Sequence, residues 1–467
     1  MRSSRLAVGM FGFLVNLTMC LALAGCAGKA TKSPETAGQS PGGVPLVGTF
    51  KVHPFTLDNG LRLLVVEDHS SPTLAYQTWF RVGSRDEVMN YTGLAHLFEH
   101  MMFKGTKAHP EGQYEHILEE AGAEGLNAFT SQDYTAYIQE IPSDKLDLLA
   151  SLESDRMHNL VVNDQSFRTE VGVVQNERRF RNENNPDGMI EQELFGIAFK
   201  KHPYHWPVVG YQEDLDRMSA VNATEFYQNY YNPSHATIIM VGDVTPDRAL
   251  SVVKKYYGSL PGKASPPHVV EAEPPAKETR RKTLNMNIQV QKLWVAYRVP
   301  SITNPDAPKL EVLASILTGG KSSRLHRALV ETGIASSVEA SNPGSEDPSL
   351  FTIVVNLQKG KKAAQAEAVI NREIQRLFRE PISDREMERA QNRLSFDFYS
   401  GLSTSYEKAR FLGYFEASAN DFQKGIEFRK EIPKVTPADV QSVVKTYFVP
   451  DNRTIITALP KTVAKTK

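Results

Sequence analysis

Two histidines and a glutamate fall within five positions of an otherwise apolar run, Gly93-Leu94-Ala95-His96-Leu97-Phe98-Glu99-His100-Met101-Met102-Phe103. Burying titratable groups among Leu, Phe and Met is costly unless each has a partner. On a helix, His96 and His100 are four apart and project from one face. That spacing lets two imidazole nitrogens reach a single ion. Glu99 stands one turn from His96, beside the same face, where a carboxylate can take a proton from water without being a ligand. The order H-x-x-E-H reverses the H-E-x-x-H zinc motif. Catalytic zinc takes three protein ligands and a water, so a third ligand is required. A helix expected over 170–181 offers Glu170 and Glu177, seven apart and nearly on one face. Periodicity does not choose between them. The competing reading is a buried His–Glu–His network that satisfies itself.

The surrounding pattern predicts the elements that position these groups. Asn59-Gly60 between two apolar runs predicts a hairpin. Strands are expected at 74–82, 127–130, 135–141 and 236–241. Helices are expected at 92–103, 113–121, 143–160, 164–182, 224–231 and 247–257. After a Pro-rich break, strands at 292–297, 351–357 and 455–458 and helices at 310–318, 363–378 and 384–399 repeat the outline weakly. This reads as a diverged duplication in which only the first copy carries the histidine pair. Mixed strands, hairpins and helices predict an α+β fold of two homologous α/β-sandwich halves, each an antiparallel-rich sheet with helices on one face. The expected domains are 49–260, bearing the histidines, and 283–461, joined by a linker at 261–282.

Length and composition bound the function. At 467 residues the chain exceeds one ordinary domain. With 53 basic and 54 acidic residues it carries a formal charge of −1, which gives no electrostatic case for nucleic acid. Both cysteines, Cys20 and Cys26, lie near the N-terminus, so a metal in the folded body must be held by His and carboxylate. Arg2 and Arg5, an apolar stretch and Ala24-Gly25-Cys26 form a secretory signal over 1–25. The ending LAGC resembles the bacterial lipoprotein box, with Cys26 lipidated as the mature N-terminus and Ala27 favouring the outer membrane. Residues 26–48, rich in Gly, Pro, Ser and Thr, read as a flexible tether. Two weaker signals carry little. Gly319-Gly320-Lys321-Ser322 lacks the first glycine of a phosphate loop, and Pro203 and Pro207 make the segment of His202 and His205 a loop with a structural or substrate-facing role.

The stretch GLAHLFEHMMFKGT resembles the zinc-site signature of the pitrilysin, insulin-degrading enzyme and mitochondrial processing peptidase family. VVQNERR resembles that family's VVxEE segment, which puts the third zinc ligand at Glu177 and the supporting acidic residue at Glu170. Asn127-Ala128 in LNAFTSQDYTAY is similar to its NAxT strand, on which a substrate backbone adds as a strand. HPY at 202–204, YYNPSHATIIMVGDV at 230–244 and GGKSSRLHRALVETGIASSV at 319–338 also fit. The resemblance spans nearly all of 50–460. It implies a clam-like zinc endopeptidase with one Zn2+ per chain on His96, His100 and Glu177, Glu99 as general base, and Asn127, Ala128 and Phe103 facing peptide substrates.

One departure bears on partners. Active members draw an Arg and a Tyr from a segment resembling LREKGLAY, whereas this chain reads LVETGIAS, with Val330 and Ser336 at those positions. In two-subunit members a zinc-less homologue supplies the pair. The resemblance thus implies the catalytic subunit of a two-chain, envelope-anchored peptidase, with a self-sufficient homodimer or a non-catalytic assembly subunit as alternatives.

Overall fold

The computed structural model describes residues 42–264 and 270–461. The expected signal at 1–25 and the lipidated Cys26 lie outside them. The first half holds seven strands: β1 (Val44–Val47), β2 (Phe50–Thr56), β3 (Arg62–Glu67), β4 (Thr73–Phe80), β5 (Glu124–Thr130), β6 (Thr135–Pro142) and β7 (Ala236–Gly242). Its helices are α1 (Leu94–Met101), α2 (Gln113–Glu120), α3 (Leu146–Asn159), α4 (Asp164–Arg178), α5 (Pro186–Ala198), α6 (Gln212–Arg217), α7 (Ala220–Tyr230) and α8 (Pro246–Tyr257). The second half begins β8 (Arg280–Met286), β9 (Lys292–Val299), α9 (Ala307–Thr318), β10 (Ala335–Ser341) and β11 (Ser349–Leu357). It continues α10 (Ala363–Arg379), α11 (Asp384–Gly401), α12 (Ser405–Ala419), α13 (Phe422–Glu431), α14 (Pro437–Tyr447) and β12 (Arg453–Pro460).

Topology makes the duplication explicit. The first sheet runs β1-β2-β3-β7-β4-β6-β5 and the second β10-β11-β9-β12-β8. Without β1 and β2, the first order becomes β3-β7-β4-β6-β5, which matches β8-β12-β9-β11-β10 strand for strand. In each sheet the matching pair, β3 with β7 and β8 with β12, is parallel and the other pairs are antiparallel.

Both faces of each sheet are covered, which differs from the expected single helical layer. Alternation along β3 divides its side chains: Leu63 and Val65 join the core under the first half's own helices, while Leu64 and Val66 join a core that includes α12 residues Ala409, Leu412 and Phe415. Helix α5 reciprocates, packing Ile190, Leu194 and Ala198 against Ala296, Ile456 and Ala458 of the second sheet. Each half therefore lends a helix to the other's sheet. A buried ion pair, Lys408 Nζ to Asp68 Oδ2 at 3.0 Å, ties the same seam. At Gly413 the ring of Trp79 is so close that an added Cβ would lie 2.1 Å from its Cε2. Gly413→Ala is accordingly expected to cost about 1–3 kcal/mol through overpacking, read as a lower urea midpoint with the m-value unchanged.

Two expected boundaries shift. Val44–Val47, within the expected tether, instead forms β1 against β2, with Leu46 buried. Pro45 is tolerated there because an edge strand can do without one N–H. Strand β8 takes Arg280–Lys282 from the expected linker, held by a backbone ladder to β12 rather than by apolar alternation.

Candidate metal centre

Helix α1 is held at its start by groups outside itself. Gly93 enters with φ +98, and a Cβ there would lie 2.8 Å from the carbonyl of Val209. Glu87, 2% exposed, accepts from the N–H groups of Gly93 and Ala95 at 2.8 Å each. This satisfies donors that the first helical turn otherwise leaves open. Leu97, Phe98 and Met101 are fully buried and fix the roll of the helix. That roll leaves His96 buried, with Glu99 and His100 half-buried along one flank.

Helix α4 lies against α1, its start capped by Asn163 and its roll set by buried Phe167 and Val174. Its two candidate carboxylates separate by the nitrogen each reaches. Glu177 Oε2 lies 3.5 Å from His96 Nε2 and 3.3 Å from His100 Nε2. Glu170 Oε2 lies 3.2 Å from His100 Nδ1, on the opposite side of that ring, while its Oε1 meets Lys104 Nζ at 2.6 Å. Glu170 thus orients His100 and leaves Nε2 to face Glu177 and the metal point, the usual outer support of a metal-binding imidazole. His96 Nδ1 is buried with no hydrogen-bond partner among the described residues, so its tautomer lacks an equivalent support.

The donor set fits zinc. His96, His100 and Glu177 each offer one ligand atom, all within 4.8 Å of one another. Tetrahedral zinc with bonds of about 2.0–2.1 Å sets its ligands about 3.3 Å apart, close to the two Nε2–Oε2 separations. Burial disfavours charge on these groups, yet the carboxylates raise His100 to about 9 and the imidazoles, with Arg181, lower Glu177 to about 2. His96, buried more deeply, is lowered. Arg181, four residues beyond Glu177 in the turn that closes α4, pairs with Glu177 Oε1 at 2.8 Å. The i,i+4 spacing of Lys104 from His100 and of Arg181 from Glu177 was the available signal for both.

The other expected site residues separate. Asn127 and Ala128 lie on β5, which ends the first sheet and pairs only with β6 among the described residues. Asn127 Oδ1 accepts from the Ala128 N–H at 2.9 Å, a local cap on an open edge. Phe103 has the contacts of a packing residue: Tyr114, Tyr137 and the guanidinium of Arg156, 5.2 Å from its ring. Val330 packs into the second core, and Ser336 donates to the carbonyl of Asn356 at 3.1 Å. His202 bonds Asp347 and His205 faces the carbonyl of Phe199, so each is held by a local protein partner. Gly319–Ser322 follows the C-terminal end of α9, the wrong end of a helix for phosphate.

Residues 62–211 match the description "Insulinase (Peptidase family M16)", and residues 218–394 match "Peptidase M16 inactive domain". The zinc protease PqqE of Helicobacter pylori is 30% identical over 413 residues, 87% of this chain and 92% of its own. A protease structure from Helicobacter pylori superposes with a TM-score of 0.84 at 29% identity, covering 88% of this chain and all of that one. The first half of the periplasmic protease PqqL from Escherichia coli superposes with a TM-score of 0.72 at 19% identity, covering 90% of this chain and 93% of that one.

Proposed function

The chain belongs to peptidase family M16, and from that we propose that it is a zinc endopeptidase, the catalytic subunit of a two-chain enzyme in the bacterial cell envelope. The observation that carries the reading is the convergence of His96, His100 and Glu177 on one point, with the Glu99 carboxylate close enough to act electrostatically on both imidazoles. When bound there, zinc supplies Lewis-acid activation of water and of the scissile carbonyl near neutral pH. Glu99 takes the proton of the attacking water and passes it to the leaving amine, restoring its carboxylate. The peptide lies along the open edge of β5, where main-chain hydrogen bonds at Asn127 and Ala128 hold it with little side-chain selectivity. Glu170, held by Lys104, keeps His100 oriented. An added strand requires an extended segment, so short or unfolded peptides are the substrates.

Val330 and Ser336 offer no long donor to a developing oxyanion, which supports a zinc-less homologue supplying an Arg and a Tyr. The lipoprotein-like N-terminus, with Cys26 as anchor, supports the envelope, as does the likeness to a protease described as periplasmic. No helix among the described residues is long and apolar enough to cross a membrane. The subunit reading is tested by assaying the pure chain with and without a homologue that carries the pair. Stoichiometric zinc with weak cleavage that the homologue raises is the expected outcome. Full activity from the pure, homogeneous chain would contradict it.

Zinc binding should depend on pH with a definite sign. Metal-free His100 titrates at about 9 rather than 6.5, so at pH 7 zinc must displace its proton. Apparent affinity is expected to rise about tenfold per pH unit from 7 toward 9 and then level, measured by competition with a chromophoric chelator. A flat profile would contradict the pairing. In the metal-free chain the His100 contribution to stability is fully present below pH 6.5 and lost as pH rises through about 9. The Glu177 contribution is present above 4.5 and lost as pH falls through about 2.

A further inference from the structure

Glu99 has one hydrogen-bond partner among the described residues, and it comes from the substrate strand. Thr130, the last residue of β5, donates its Oγ1–H to Glu99 Oε2 at 2.7 Å. The bond leaves Oε1 to accept a proton and fixes which way the carboxylate turns. Thr130 is itself held in place. Its register partner on β6 is Thr135, whose hydroxyl donates to the carbonyl of Val82 at 2.9 Å. The turn between β5 and β6 is anchored from both halves of the molecule. Asp133, 5% exposed, accepts from Tyr204 Oη at 2.5 Å and from the Glu346 N–H at 2.9 Å. Arg85 joins the same junction by pairing with Asp347 at 2.6 Å. The donor to Glu99 therefore sits on a clamped hairpin, on the strand whose open edge would take the peptide.

We infer that Thr130 is a positioning residue: its hydroxyl orients Glu99, so that the strand that docks the substrate also aims the proton acceptor. This rests on the proposed peptidase reading. The inference concerns orientation, so its effect belongs in kcat and not in binding. Thr130→Val keeps the shape and removes the donor, and Thr130→Ser restores a donor at the same place.

The experiment compares these variants as zinc-loaded chain with its partner subunit, on a quenched peptide. Thr130→Val is expected to lower kcat about ten- to hundredfold, the range for losing a hydrogen bond to a charged group. KM should change by less than about twofold, zinc content should be unchanged, and Thr130→Ser should recover most of the loss. In a Glu99→Gln background, Thr130→Val should cost nothing further. Crystal structures of the variants read the carboxylate without reference to turnover: it should leave its wild-type orientation in Thr130→Val and keep it in Thr130→Ser. Unchanged kcat with the carboxylate in place would overturn the inference. So would a raised KM at constant kcat, which would make Thr130 part of the docking edge alone. If the wild-type complex does not cleave, the peptidase reading fails, and the crystallographic comparison still decides whether Thr130 orients Glu99.

Discussion

Replacing Glu99 by glutamine is expected to lower kcat by about two to four orders of magnitude while the chain keeps its full complement of zinc. Glutamine preserves the shape of the side chain and can still bond Thr130 Oγ1. It cannot hold a proton taken from water, so only the transfer step is lost. Glu99 is not among the three groups that converge on the metal point, which is why zinc content and KM should stay near wild type. Metal analysis beside steady-state kinetics checks this. Zinc loss in the variant would make Glu99 a ligand, and retained turnover would remove it from the chemistry.

The same substitution at Glu177 should give the opposite pattern. Glu177→Gln keeps volume but removes the one anionic donor that faces both Nε2 atoms, at 3.3 and 3.5 Å. A neutral amide leaves two imidazoles and no charge to balance the ion, and Arg181 loses its partner. Zinc affinity is expected to fall by more than about a hundredfold, beyond the 10–100-fold typical of outer-shell changes, with cleavage falling in step. Excess zinc should restore part of it. Competition titration measures the loss, and unchanged affinity would mean that Glu177 does not bind the metal.

These two results separate groups that share one helix flank or one helix face, and they mark how far the sequence could be read. His96, Glu99 and His100 were legible because their spacing within a single helix fixes their mutual geometry. Glu170 and Glu177 were not distinguishable by period, since residues seven apart share a face. The structure divides them by which nitrogen of His100 each one meets. The strands with continuous apolar runs, such as β3 and β9, were legible. Strands β8 and β10 were not, because RRKTLNM and ASSVEAS are largely polar and carry no apolar run that marks a strand. The exchange of α5 and α12 was hidden for another reason. An amphipathic stripe such as Ile190, Leu194 and Ala198 shows that a helix is covered, but not which sheet covers it. Pro186, Gly188 and Gly196 also weaken the helical signal of α5. Thr130 was legible as the end of the 127–130 strand, but its bond to Glu99 was not, because the two are thirty-one residues apart, a contact set by the fold and not by any local period.

The most direct test of the account is to purify the chain from its native host in whatever complex it forms, and to assay zinc together with cleavage of an unstructured peptide library. One zinc per chain is expected, with cleavage abolished by a chelator, restored by zinc and absent from a Glu99→Gln preparation. A folded, zinc-free chain, or cleavage indifferent both to the chelator and to Glu99→Gln, would contradict it.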